Sequence, residues 1–145
     1  MTFKTDLQFG KDAECHVLTK IQAKYPLAFM IEGKFKAFDI FVPEIEQGVE
    51  VKCDRQAEHT GNVFIEIECN GKHSGIQTTR AGFYVYQTKI RTFWVKPDDI
   101  KRYLIANAKD VPMFENTPKG EHSAVRGYLI PIEDFERISF IKHER

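Results

Sequence analysis

FKAFDIFVPEIEQGVEVKCD, residues 35–54, reads as two short strands joined by a turn that carries Pro43 and Gly48. Asp39 falls on the first strand, Glu50 and Lys52 on the second. Successive side chains of a strand alternate between faces, so Glu50 and Lys52 point the same way. Any hairpin register that sets Asp39 opposite Glu50 or Lys52 gathers all three on that face. Two acids and an ammonium are expensive to bury together.

Upstream, residues 10–25 carry Val17, Leu18, Ile21 and Tyr25 at helical spacing, and Pro26 ends the run. Glu14 belongs to that apolar face. Either it lies in the helix's first turn, where negative charge suits the dipole, or it points at a cation held by the sheet beneath. Residues 27–31 form a short apolar segment. Downstream, 55–61 is a polar loop, and the alternation in NVFIEIEC, residues 62–69, predicts a third strand. Ser74 is placed to cap a short helix over 75–81. FYVYQT and RTFWVK read as two aromatic strands, and Lys96-Pro97-Asp98-Asp99 starts a helix with Ile100, Tyr103 and Leu104 inward. Residues 109–127 read as loop, 127–132 as an edge strand and 132–140 as a closing element. This alternation predicts one α/β sandwich domain, residues 1–145, with a mixed central sheet flanked by helices.

Composition agrees with that class: 145 residues, 42% hydrophobic and 29% charged, are enough to enclose a core. Lys+Arg 21 balances Asp+Glu 21, which counts against a tight, unspecific DNA binder. Acids gathered at one site would still leave the bases free to line another surface. The polar start at Met1 and the odd cysteine count predict a cytoplasmic protein with reduced thiols and no membrane contact. Cys69 with His73, and Cys15 beside His16, lack the second half of a zinc set.

Magnesium takes hard oxygen ligands, usually one or two carboxylates with water and substrate phosphate completing the octahedron. Asp39 and Glu50 offer two carboxylates, the Val51 backbone carbonyl a third oxygen, and Glu14 a further ligand from the helix. Lys52, on the same face, would orient the attacking water and favour its hydroxide form. The residues therefore predict a site for metal-assisted phosphodiester hydrolysis.

The series Glu14, Asp39, Glu50-Val51-Lys52 resembles the PD-(D/E)xK nuclease superfamily, in the branch of archaeal Holliday-junction resolvases and small phage-encoded endonucleases. SGIQTTRAGFYVY adds a further likeness, and the similarity spans roughly residues 9–96. Phe38 stands where the motif's name expects Pro. The resemblance implies a restriction-endonuclease-like fold and a hydrolase that cuts DNA with Mg2+, for which Mn2+ would substitute. It makes Asp39, Glu50 and Lys52 catalytic and Glu14 an additional metal ligand. Two other readings stay open: a homodimeric junction resolvase, and an inactive DNA-binding or assembly module of the same fold.

Substrate contacts are expected from the polar cluster around Lys72, Ser74, Gln77 and Arg80, where a helix start would accept a phosphate or a solvated turn would not. Gln77 is the preferred single residue, facing the catalytic cleft. Lys89, Arg91 and Lys96 would extend a basic track, or simply protect an edge strand. Phe83, Tyr84, Tyr86, Phe93 and Trp94 are assigned to sheet packing in preference to base stacking.

Overall fold

Ala13, Val17 and Ile21 recur every four residues along one helix, α1 (Phe3–Gln22), and all three are buried. The computed structural model in which this is seen describes residues 3–34, 36–116 and 124–144. The helix begins well before Gly10, which it passes through at the modest penalty of an interior glycine. It ends at Gln22 and not at Tyr25, because the residue ahead of Pro26 is sterically disfavoured from helical geometry. Glu14 therefore lies in the body of the helix, and the first-turn explanation for its charge is overturned.

α1 covers one face of a six-stranded mixed sheet. The strands are β1 (Phe29–Met30), β2 (Ile40–Val42), β3 (Gln47–Cys53), β6 (Phe83–Gln87), β7 (Arg91–Val95) and β10 (Ile141–Glu144), side by side in that order. Every pair is antiparallel except β3–β6. Ile40, Val42, Val49, Val51 and Val85 turn towards α1 and close its core.

A second sheet lies over the opposite face. It is built from β5 (Lys72–His73), β4 (Asn62–Cys69), β9 (Val125–Pro131) and β8 (Met113–Glu115), in that order. Val63 and Ile65 of β4 and Ile130 of β9 pack there with Tyr84, Tyr86, Phe93 and Val95. Ile100 of α3 (Pro97–Asn107) and Phe135 of α4 (Ile132–Ile138) complete that core.

The mixed α/β class and the mixed sheet are as the sequence predicts, but helices alone do not flank it. The strand over 62–69 has the predicted bounds, yet it joins the second sheet, and β6 takes the place beside β3. Alternation identifies a strand without naming its neighbour, and a parallel partner for β3 needs a long crossover, which residues 54–82 provide. Within that crossover the predicted loop contains a single helical turn, α2 (Ala57–Thr60), closed by Gly61 in the left-handed region at φ 78. The segment 127–132 is no edge: β9 sits between β4 and β8. The loop expected over 109–127 holds β8 and the start of β9, while its residues 117–123 lie outside those described, as does Phe35 of the opening stretch.

Candidate active site

Ile40 sits opposite Val49 in the β2–β3 pair, and carrying that register back one residue sets Asp39 opposite Glu50. On the other side of β3, Glu50 lies beside Tyr84 and Lys52 beside Tyr86. Asp39, Glu50 and Lys52 thus share the face that looks towards the second sheet. Asp39 is only 6% exposed. Its Oδ2 accepts the Val51 amide at 2.7 Å, and its Oδ1 lies 2.9 Å from the Lys36 ammonium. Glu50 places Oε2 3.3 Å from Lys52 Nζ.

Val51 faces the same edge. The Gly48 carbonyl accepts from Gly82, and the Asp54 amide donates to Gln87, so the even-numbered residues of this strand address β6. Val51, odd-numbered, directs its amide to Asp39 and its carbonyl to the same edge. The ring of Phe38 lies over Gly48, where a Cβ would come within 2.2 Å of it. That contact seats the residue directly ahead of Asp39.

Burial raises the Glu50 carboxyl to about 7; the Lys52 ammonium opposes the shift and the Asp39 carboxylate reinforces it. Burial also raises Glu14, again with a contribution from Asp39, while Lys36 and Lys11 pull it back. Glu14 therefore feels the charge of Asp39, although α1 packs on the opposite face of the sheet. For Lys52, burial alone would lower the ammonium's proton affinity, but Glu50, Tyr84 and Glu66 outweigh it and leave it raised. Lys52 is held as a cation. Lys36 is raised chiefly by its hydrogen bond to Asp39, and it also feels Glu14 and Glu50.

A cleft of about 400 Å³ opens beside Lys52, walled in part by Phe9, Phe64, Glu66, Tyr84 and Tyr86. The polar cluster expected to bind phosphate is arranged differently. Residues 75–81 form only one 3-10 turn, Gly75–Gln77, and Ser74 makes no side-chain cap. Its hydroxyl instead donates to Glu66 Oε2 at 2.8 Å, so no helix start is presented to a phosphate. Gln77 is exposed and donates its amide to the Ile67 carbonyl at 2.9 Å; Gly75 and Ile76 of that turn reach the cleft in its place. Lys72 and Arg80 are both exposed, and Lys72 lies on β5 of the second sheet. Arg91 is no open cation, since it pairs with Glu58 at 2.5 Å and Glu136 at 3.2 Å. Tyr84, Tyr86 and Phe93 are buried in the second core, and Phe83 and Trp94 pack on the first, which is the sheet role expected of them.

Lys36 and Tyr84 are site neighbours that sequence reasoning missed. Lys36 lies in an irregular segment, where no periodicity marks direction, and Tyr84 becomes a neighbour only through the β3–β6 register.

The donor set is all oxygen and suits a hard cation such as Mg2+. It is an open pair of carboxyls plus a carbonyl, not a closed cage: among the described residues no three His, Cys, Asp or Glu side chains form a ready metal group. Glu14 therefore does not complete a preformed three-acid set. Among the same residues no helix is long and apolar enough to cross a membrane. No protein-family model, curated protein or solved structure matches this chain.

Proposed function

We propose that the chain is a divalent-metal-dependent DNA endonuclease with a restriction-endonuclease-like core, acting in the cytoplasm. The observation that carries this reading is the placement of Asp39 opposite Glu50 on one face of the sheet, with the Lys52 ammonium 3.3 Å from Glu50. Neighbouring acids repel when both are charged, and Lys36 and Lys52 each meet one oxygen of the pair, leaving charge for a cation to neutralise. A Mg2+ ion bound there would supply Lewis-acid activation of water and neutralise charge on the phosphate.

The chain's own residues would do the rest. Asp39, fixed by the Val51 amide, and Glu50, fixed by β3, set where the scissile phosphate approaches. The Val51 carbonyl adds an oxygen on that edge. Lys52 stays protonated, so it would act as a cation and not as a base: it orients the attacking water and meets the negative charge on the phosphoryl oxygens. Glu14 adds negative field from α1 without reaching a closed set.

A cleavage panel tests the proposal: supercoiled, linear, single-stranded and branched DNA, each with Mg2+, Mn2+ or a chelator. Cutting should require the metal, and Lys52→Ala should abolish it while DNA binding persists. Normal cutting by that variant would refute the assigned mechanism. A four-way junction bound far better than duplex would favour the dimeric-resolvase form of the proposal, and calorimetry without metal uptake would favour the non-catalytic module.

A further inference from the structure

Asp39 has two oxygens with different jobs. Oδ2 is tied to the backbone by the Val51 amide at 2.7 Å, which leaves Oδ1 as the oxygen with no backbone donor. Oδ1 is met by Lys36 Nζ at 2.9 Å. The Lys36 side chain is 28% exposed and belongs to the irregular segment ahead of β2, so its long stem can swing away without breaking a strand. Lys52 differs: it is rooted in β3, and its partner is Glu50.

We propose that Lys36 is a built-in competitor for the metal, its ammonium holding the Asp39 oxygen that a divalent cation must take. The inference rests on Asp39 and Glu50 being metal ligands. The field of Glu14, Asp39 and Glu50 converges on Lys36, the same field that would draw a divalent ion. While the ammonium is in place, the acids are partly neutralised and the fold is spared uncompensated charge. Entry of the ion expels the ammonium, so metal affinity is set below what the oxygen donors alone would give.

Titration calorimetry with MnCl2 on the full chain, at a pH where Glu50 is ionised, tests this without reading activity. Lys36→Met should bind Mn2+ roughly threefold to tenfold more tightly than wild type, the strength of a partly exposed charge-assisted pair. Lys36→Arg, which keeps the cation, should stay close to wild type, and Lys36→Gln should follow Lys36→Met. In an Asp39→Asn background, removing Lys36 should change nothing. Equal or weaker Mn2+ binding by Lys36→Met and Lys36→Gln, with wild type binding normally, overturns the competitor role. No Mn2+ uptake by any of these proteins, all folded by circular dichroism, overturns the metal reading itself and the inference with it.

Discussion

Replacing Glu50 by Gln removes the acid whose burial raises it from 4.5 to about 7. A raised carboxyl favours the folded state while protonated; that contribution is complete below its unfolded value and is lost as pH climbs through the folded one. The metal-free wild type should therefore lose stability between about pH 4.5 and 7. A difference of roughly 2.5 pH units at about 1.36 kcal/mol each sets a ceiling near 3 kcal/mol. The side chain is 24% exposed and paired with Lys52, so a realised loss of about 1–2 kcal/mol is expected. For a chain of this size that is roughly 2–8 °C in Tm. Thermal melts of wild type and Glu50→Gln across this range, with chelator, give a difference curve that cancels other titrating groups, Glu14 among them. Wild type should fall relative to the variant as pH rises, and Mg2+ should restore wild type alone. Parallel curves for the two proteins would refute the reasoning that Glu50 is a desolvated partner of Asp39.

The same proton must leave when a cation binds, so Mn2+ affinity should fall about tenfold for each pH unit below the Glu50 midpoint, which calorimetry at several pH values would show. Gly48→Ala should drive a Cβ into the Phe38 ring, costing about 1–3 kcal/mol and weakening Mn2+ binding through the displaced Asp39, a pairing that melts and calorimetry read together. Ser74→Ala should cost about 1 kcal/mol through its lost bond to Glu66 and leave DNA affinity unchanged. A large drop in DNA affinity for that variant would return Ser74 to a phosphate-binding role.

The hairpin was readable in part: alternation puts Glu50 and Lys52 on one face, but the turn left the register open, and Gly48, expected in the turn, lies in β3 opposite Phe41. With Asp39 opposite Glu50, the acids and Lys52 follow from a period of two. The α1 stripe was readable from its helical spacing, although its ends were not: Gly10 marks no start, and Pro26 bars Tyr25 from the helix without marking Gln22 as its last residue. What sequence could not give is partnership between distant segments. β4 alternates as well as any strand of the central sheet, and only tertiary packing assigns it to the other one. Ser74 is a good cap in isolation, but a Glu66 carboxylate across the turn outcompetes the backbone for its hydroxyl. Lys36 carries no pattern at all, and its importance comes from the single oxygen it reaches.

The central claim is that Asp39 and Glu50 jointly hold a divalent cation. Anomalous diffraction from crystals soaked in MnCl2, collected at the manganese edge, addresses it most directly. The account predicts a peak within coordination distance of both carboxyls and the Val51 carbonyl, with the Lys36 ammonium displaced from Asp39. A well-soaked crystal with no peak there, and Lys36 still paired to Asp39, would contradict it.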